Sequence, residues 1–567
     1  MVFLRSLSRR DIFLVLLGAV SLHLFTLIFP SALHSTHDQR LIIANPHIDH
    51  PPADTNPLPP PPEAEPDRFK NTVQHNVHTT EKESKRPHTH VSGAQVKQEI
   101  IETTLVSHAY GWTIFRNLYM ADGTVFIVSR HPSSYFPDIR FMTSTGLPAE
   151  NTPENIKLRE PTKKDMAIIS PEEARHRWGP VKAGEPYRVW AVEGNTFLVN
   201  DPSQFLRHYY HFVAELVFGA WAFWTGTFSQ SPDGVVTASS PPPTLENTPS
   251  LDRFIFMNSD ADGWRDNPGF NRYFLRAAFP SLTVEHREDW DDRVLTSRPP
   301  PYPAYNYSNP DPNLDKTDEE IRRGSRVWRF DQVLFADRSA AFRGEACGSR
   351  TQRTAAEAFE AMQKRLPVGW WDPLRKAVLQ FAGATENIKS SAPRTELMSA
   401  ADPQAHLPMP EKVVITYIDR QKTKRSLAPA DHTLLVKSLE ELTEKRGWEL
   451  IVVQAENLTK DMQIRIMART TILLSIHGNG LTHLCLMPNT RISTVIEMFV
   501  PEGFAHDYQW TTHALGMRHF AVWNDTWHTL PNKPKVNYPE GFQGPNIPAY
   551  GPKIAELIEG RVDLKYP

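Results

Sequence analysis

Residues 473–484 read Leu-Leu-Ser-Ile-His-Gly-Asn-Gly-Leu-Thr-His-Leu, an apolar run that enters a His-Gly-Asn-Gly turn and continues into a second apolar segment. The pattern predicts a buried strand, a glycine turn and a helix that starts without a linker. Such a turn presents backbone N–H groups and a helix N-terminus to an anion such as pyrophosphate. It is neither a Gly-x-Gly-x-x-Gly fingerprint nor a Walker loop. Taken alone, it fits equally well a structural turn pinned by a buried His477.

The segments on either side of this turn alternate between strands and helices. We predict strands at 412–418, 448–453, 471–476, 493–499 and 519–523, and helices from Asp431, as the N-cap, to 446 and over 460–469. Alternation at this spacing is typical of a parallel sheet with helices on both faces. Ligands of such sheets bind at the carboxyl ends of the strands, where this pattern places His477.

The N-terminal half shows less regular patterning. We predict strands at 111–115, 124–128, 188–192, 254–257 and 332–335, and an aromatic-rich helix over 205–224. Breaks rich in proline and serine at 229–250 and 298–313 indicate surface insertions. A third break, at 387–411, indicates a linker, because the regular alternation starts directly after it.

Composition excludes several classes of protein. The chain has 567 residues, a net charge of -3 and 40% hydrophobic residues, which suits a globular protein of several domains and not a nucleic-acid binder. Its two cysteines, Cys347 and Cys485, rule out a disulfide scaffold and allow one bridge at most. The apolar neighbours of Cys485 favour a buried free thiol.

An apolar run at the N-terminus predicts a membrane anchor. Residues 12–29 form an 18-residue apolar stretch preceded by Arg5, Arg9 and Arg10. The positive-inside rule then places the N-terminus in the cytosol and the body in the lumen, as a single-pass type II signal-anchor; a cleaved signal peptide is the alternative. The short span and the lack of a KDEL-type signal favour the Golgi membrane, with the ER membrane as a second possibility.

Two further features of the sequence agree with a body that lies in the lumen. Residues 30–100, which contain the proline-rich segment 51–66, predict a Pro- and His-rich disordered stalk. Sequons for N-glycosylation, expected in a glycoprotein, occur at Asn306, Asn457 and Asn524.

Two groups of polar residues can carry chemistry. Arg420 and Arg425 follow the first strand of the predicted parallel sheet, where they can clamp a diphosphate or form a solvated basic loop. His211 and Glu215 are four residues apart on one helical face. They can form an acid–base pair that faces a sugar, or a core histidine beside a surface carboxylate.

Together these segments resemble glycosyltransferase family 61. The resemblance rests on the arginine pair, the run 473–484, Met487-Pro488, the segment 495–499, and Tyr209-Tyr210-His211-Phe212 with Glu215. It is close over about 410–525, looser over 200–345 and absent from the stalk. The chain departs from the family pattern at Asn479, where Ala is usual, at His483, where Asn is usual, and at Ser426, near a usual Asn.

The resemblance implies an α/β fold of GT-B type, in which two Rossmann-like domains face a cleft. We expect a cytosolic tail over 1–11, the anchor over 12–29, the stalk over 30–100, an acceptor-side domain over 101–400, a nucleotide-sugar domain over 410–530 and a C-terminal extension over 531–567. The implied nucleotide-sugar residues are Arg420, Arg425, His477, Gly478, Asn479, Gly480, Leu481 and Glu497. Glu497 is expected to contact ribose hydroxyls or to brace the loop.

The family inverts anomeric configuration, which requires one general base. Glu215 and His211 are the candidates, with Glu215 ranked first. No cofactor and no metal are required, with the UDP-sugar as co-substrate, since Arg, His and helix N-termini offset the charge of the diphosphate. Asp260-Ala261-Asp262 is interpreted as a solvated turn in preference to a manganese site.

The sequence therefore predicts a membrane-anchored inverting glycosyltransferase that moves a sugar, xylose or N-acetylglucosamine, from a UDP-sugar to a glycan or glycoprotein acceptor. Two alternatives remain. One is a catalytically inactive lumenal glycan-binding or scaffold relative of the same fold, motivated by Asn479 and His483. The other is a Rossmann-type oxidoreductase or epimerase, which the missing dinucleotide fingerprint disfavours.

Overall fold

The computed structural model describes residues 99–180, 183–235, 237, 240–298, 325–346, 354–389 and 407–566. These residues all belong to one compact unit. The predicted tail, the anchor helix over 12–29, nearly all of the stalk, Asn306 and Cys347 lie outside the described residues. Within the described ranges, no helix combines the length and the apolar character that a bilayer crossing needs.

The N-terminal half is built on an eight-stranded sheet. Its strands are β1 Thr104–Ala109, β2 Trp112–Ala121, β3 Thr124–Val128, β4 Met166–Ile169, β5 Val189–Pro202, β6 Arg253–Asn258, β7 Thr283–Glu285 and β8 Val327–Ala336. The order is β4-β3-β2-β8-β5-β6-β7, with β1 paired to β2. Strands β8, β5, β6 and β7 are parallel, whereas β2 is antiparallel to β1, β3 and β8.

This sheet is mixed: apart from the parallel pair β3–β4, the parallel pairing of a Rossmann-like domain is confined to the four strands β8-β5-β6-β7. The reason lies in two tight hairpins. Asp122 and Gly123, both at positive φ (49° and 81°), link β2 to β3, and Gly111 at φ 79° lies between β1 and β2. Two-residue connections of this kind allow only antiparallel neighbours.

Helices cover the N-terminal sheet. They are α1 Pro153–Leu158, α2 Pro171–Trp178, α3 Phe218–Phe228, α4 Phe270–Ala278, α5 Arg287–Ser297, α6 Arg338–Ala341, α7 Thr354–Met362 and α8 Asp372–Phe381, with 3-10 turns at Ser133–Tyr135, Ile139–Phe141 and Ser203–Phe205. The helix predicted over 205–224 consists of a π-helix, Tyr210–Val217, that continues into α3. Every residue of α3 is buried, which its all-round apolar composition explains.

The C-terminal half confirms the predicted alternation. Its elements are β9 Val414–Ile418, α9 Pro429–Arg446, β10 Glu449–Val453, α10 Lys460–Arg469, β11 Ile472–Ile476, β12 Thr494–Phe499, α11 Asp507–Ala514, β13 Arg518–Trp523, β14 Thr526–His528 and α12 Gly551–Val562, with 3-10 segments at Ala455–Asn457 and Asn479–Leu486. The order is β10-β9-β11-β12-β13-β14. All neighbours are parallel except β13 and β14.

The helix predicted directly after the glycine turn is present as the 3-10 helix Asn479–Leu486. One local prediction is wrong. Asp431 is not the N-cap of α9, because Pro429 sets the first helical turn and Ala428 takes the cap position without a side-chain bond. The Asp431 carboxylate instead accepts a hydrogen bond from the Ala549 N–H at 3.2 Å.

The two halves share one apolar core. A single buried cluster contains Phe212 and Phe218 of the N-terminal half together with Leu473, Leu484 and Cys485 of the C-terminal half. The Trp371 indole donates to the Cys485 carbonyl at 2.8 Å, which ties α8 to the segment after the glycine turn. Cys485 is a buried free thiol, as predicted. This shared core fixes how the two sheets face the space between them.

Candidate functional site

The site lies at the carboxyl ends of β9 and β11. Strand β9 is flanked by β10 on one side and by β11 on the other, so the strand order reverses there and a crevice opens beyond the strand ends. A cavity of about 700 Å³ occupies this position. Its lining comes from both halves and from the C-terminal extension: Asn151, His208, Tyr210, His211, Arg420, Lys424, Arg425, His477, Gly478, Asn479, Asp507, Tyr508, Tyr538, Phe542 and Gln543.

The glycine turn is shaped by its contact with Arg420. Gly478 has φ 153°, and a Cβ atom built on it would lie 1.6 Å from Arg420 Nη1. A Cβ on Gly480 would meet only the Ile418 side chain, with Cγ2 at 3.4 Å and Cδ1 at 3.5 Å. The Leu481 N–H donates to the Gly478 carbonyl at 2.9 Å and is used within the turn. Position 478 therefore requires glycine for close approach, whereas position 480 does not.

Arg420 and Arg425 converge on the same backbone carbonyl. Arg425 Nη1 donates to His477 O at 2.7 Å, and Arg420 Nη1 lies 3.4 Å from it. Arg425 Nε also donates to Gln543 Oε1 at 2.7 Å. Among the described residues, neither guanidinium forms an ion pair with a carboxylate. Burial lowers the pKa of both arginines, and the charge of Arg425 lowers the pKa of Arg420 further. A bound anion would relieve this repulsion.

His477 braces the turn through a buried chain of hydrogen bonds. Its Nδ1 lies 2.5 Å from Glu497 Oε1, and the other Glu497 oxygen lies 2.7 Å from His519 Nε2. Glu497 is fully buried, and burial with the charge of Asp507 holds its pKa well above the usual range. Burial and the two arginines hold the pKa of His477 well below 6.5. Glu497 lies behind His477 and outside the cavity lining.

His211 and Glu215 form a pair on the π-helix. His211 Nδ1 lies 2.7 Å from Glu215 Oε2, to which Arg338 Nη1 also donates at 3.0 Å. Arg338 in turn pairs with Asp201 at 2.7 Å. The His211 side chain is 33% exposed and lines the cavity, whereas that of Glu215 is 2% exposed and lies beneath it. Burial opposes protonation of His211, but the charge and hydrogen bond of Glu215 outweigh it and raise the pKa.

Two of the three residues that depart from the family pattern, Asn479 and His483, connect the two halves. Asn479 Oδ1 accepts a hydrogen bond from the Tyr210 N–H at 3.1 Å, which satisfies a donor in the first turn of the π-helix. His483 is buried, with Nε2 2.9 Å from Gln463 Oε1 and Nδ1 3.4 Å from the Tyr209 hydroxyl. Both side chains therefore hold the helix that carries His211 against the glycine turn.

Several lining residues were not predicted from the sequence. Asp507 begins α11, with Oδ2 3.9 Å from His477 Nε2; burial and the charge of Glu215 raise its pKa to about 7. A signal existed for it, since an acidic residue at a helix start after β12 lies at the same sheet edge. Tyr538, Phe542 and Gln543 belong to the 531–567 extension, where no local pattern marks them.

The other predicted residues lie at the surface or in turns. Asn457 is exposed in a 3-10 turn, and Asn524 is partly exposed between β13 and β14. Asp260 Oδ1 accepts from the N–H groups of Asp262 and Gly263 at 3.1 and 2.6 Å, so this acidic segment is a turn. In the described part of the chain, no cluster of three or more His, Cys, Asp or Glu residues is arranged to hold a metal ion.

Comparison with known proteins identifies the relationship. The family model Glycosyltransferase 61 matches residues 165–496. The matched range covers β4 to the middle of β12 and includes the His211–Glu215 pair, both arginines and the glycine turn. No curated protein matches the chain significantly.

Proposed function

Because the chain belongs to glycosyltransferase family 61, we propose that it transfers a sugar from a UDP-sugar, with inversion, to a glycan or glycoprotein acceptor. One observation carries the proposal. A basic, glycine-lined turn at a strand switch point faces the same cavity as His211, whose ring is backed by the buried Glu215. The first is suited to a diphosphate leaving group and the second to deprotonation of a hydroxyl.

The leaving group belongs at the arginine pair. When the C1–O bond to the diphosphate breaks, negative charge builds on the departing UDP. Arg420 and Arg425 are held together without carboxylate partners among the described residues, and Lys424 lines the same wall. Guanidinium groups bind phosphate oxygens bidentately, which provides the charge stabilisation that a metal ion supplies in other enzymes. We therefore infer a reaction that needs no metal.

The general base is His211 in this proposal, with Glu215 as a positioning residue. This reverses the order assigned from the sequence, because Glu215 is buried beneath the ring and His211 reaches the cavity. With Nδ1 bound to Glu215, Nε2 is left to accept the proton of the acceptor hydroxyl as its oxygen attacks C1. The imidazolium that forms is stabilised by the Glu215 carboxylate.

The domain arrangement and the cellular location of the protein are also part of the proposal. Two sheets that face one cavity, with the nucleotide side built on β9 and β11, support a GT-B arrangement. The apolar run 12–29 supports a type II anchor and a Golgi localisation with a lumenal body.

Xylose and N-acetylglucosamine remain the expected sugars. Asn479 and His483, which motivated the inactive alternative, have packing roles that leave the cavity residues in place, so we prefer the enzyme.

A donor screen tests the proposal. The full-length protein is incubated with a panel of UDP-sugars, with and without glycan acceptors, and release of UDP is measured. We expect turnover of at least one donor, loss of turnover in His211→Asn, and unchanged turnover in Glu172→Gln, an exposed carboxylate on α2. Failure to turn over or bind any UDP-sugar would refute the proposal.

A further inference from the structure

The C-terminal extension forms one wall of the cavity. After β14 the chain pairs with the segment that follows β12: Phe504 and Asn537 exchange two backbone hydrogen bonds of 3.0 Å each. It then returns to the arginine loop, where the Ile547 N–H donates to the Ser426 carbonyl at 3.0 Å. The loop 538–546 is thus fixed at both ends and spans the space between the two attachments.

This loop presents an aromatic side chain beside the arginine pair. Tyr538 lines the cavity and is 46% exposed. Its ring meets the buried Phe542 edge to face, with centroids 4.8 Å apart, and Phe542 packs at 5.2 Å against the ring of His477. The aromatic wall is therefore connected directly to the glycine turn. Gln543, on the same loop, is bound to Arg425.

We propose that Tyr538 is a stacking platform for the nucleobase of the donor, with Gln543 supplying a polar contact at its edge. The proposal rests on the proposed function, since it extends a diphosphate at Arg420 and Arg425 to the nucleoside beyond it. Flat aromatic side chains bind bases by stacking, without regard to sequence or sugar. The Gln543 amide oxygen accepts from Arg425, so its amide NH2 is the group that can donate to an acceptor on the base edge.

The position of the loop favours the base over the acceptor sugar, which is the other ligand that stacks on aromatic rings. The loop is attached at both ends to segments of the C-terminal half that follow β12 and β9, through Phe504 and Ser426, and it contacts Arg425. The acceptor side of the cavity is formed by His208 and His211 on the other half of the protein. When the diphosphate of the donor lies at the arginines, the nucleoside of the donor lies along this loop. The acceptor sugar then lies on the opposite side of the cavity.

Calorimetric titration of the full-length protein with UDP and with inorganic pyrophosphate tests the assignment. Tyr538→Ala should weaken UDP binding by about 5- to 160-fold, as expected for loss of one stacked base. Pyrophosphate, which has no base, should bind with unchanged affinity. Tyr538→Phe keeps the ring and should bind UDP as the wild type does. Tyr550→Ala, an exposed tyrosine of the same extension outside the cavity lining, is the control and should have no effect.

Three results would overturn the assignment. Unchanged UDP affinity in Tyr538→Ala excludes stacking of the base, and a raised acceptor KM in that variant would identify a sugar platform instead. Equal loss of UDP and pyrophosphate affinity would show that Tyr538 acts on the shape of the loop. These outcomes are distinct from failure of the proposed function, which would appear as a wild-type protein that binds no nucleoside diphosphate.

Discussion

Removing the charge of Glu215 should change the reaction in a way that only a positioning role explains. Glu215→Gln keeps the volume of the side chain and replaces a carboxylate that lies 2.7 Å from His211 Nδ1. Hydrogen bonds to charged groups are worth roughly 1.5–3 kcal/mol, and glutamine still offers a neutral one. The transition state, in which His211 gains a proton, should lose roughly 1.4 kcal/mol or more, which lowers kcat/KM by about tenfold or more.

The pH profile gives this variant its distinctive sign. His211 must be neutral to act as a base, and Glu215 holds its pKa above 6.5, so wild-type kcat/KM should rise with pH through that raised pKa. In Glu215→Gln the carboxylate is gone while Arg338 stays nearby, so the pKa falls and the acid limb moves to lower pH. The wild-type advantage should therefore be smallest at low pH and grow as pH rises.

Asp507 also titrates near this range, because burial and Glu215 raise its pKa to about 7. Glu215 raises the pKa of both His211 and Asp507, so its loss lowers both. The acid limb of the pH profile therefore moves to lower pH whichever of the two groups causes it. Other histidines do not interfere, since burial lowers the pKa of His208 to about 4 and that of His477 well below 6.5. Steady-state kinetics over pH 5–9, with Asp507→Asn to assign the limb and Glu172→Gln as control, provide the measurement. An acid limb that stays in place or moves to higher pH would contradict the reasoning.

Three further outcomes are expected. Gly478→Ala should lower UDP affinity at least about tenfold, because the backbone is strained and the new Cβ meets Arg420, whereas Gly480→Ala should bind within about threefold of wild type by calorimetry. Asn479→Ala should cost about 1–2 kcal/mol of unfolding free energy in urea titrations, because the Tyr210 N–H loses its partner; an unchanged midpoint contradicts this. EDTA should leave turnover unchanged, and loss that manganese restores would refute the metal-free reaction.

The C-terminal sheet was predictable because its signals are local. Strands β9, β10, β11 and β12 are each a short apolar run followed in the chain by a helix, so the alternation can be read from neighbouring residues. The N-terminal sheet was predicted less well. Its antiparallel part depends on two-residue hairpins such as Asp122-Gly123, and its strand order brings β8 between β2 and β5 from far along the chain.

The residues of the site likewise divide into those marked by local sequence patterns and those placed by long-range contacts. The glycine turn and the arginine pair follow strand ends, so their proximity could be predicted from the parallel sheet alone. The burial of Glu215 could not, because it depends on Arg338, which lies 123 residues away in sequence. Two other features also depend on residues far apart in sequence. Asn479 accepts from the first turn of the π-helix, and the loop that carries Tyr538 is held by Phe504 and Ser426. A single sequence contains no periodicity that reports them.

The most direct test of the account is an experimental structure of the protein with UDP bound. We predict that the diphosphate lies within hydrogen-bond distance of Arg420 and Arg425, in front of Gly478. The sugar end should point toward His211, and the uracil should stack on Tyr538. A diphosphate bound elsewhere would contradict the account. So would a UDP whose β-phosphate, the phosphate that carries the sugar in the donor, points away from His211.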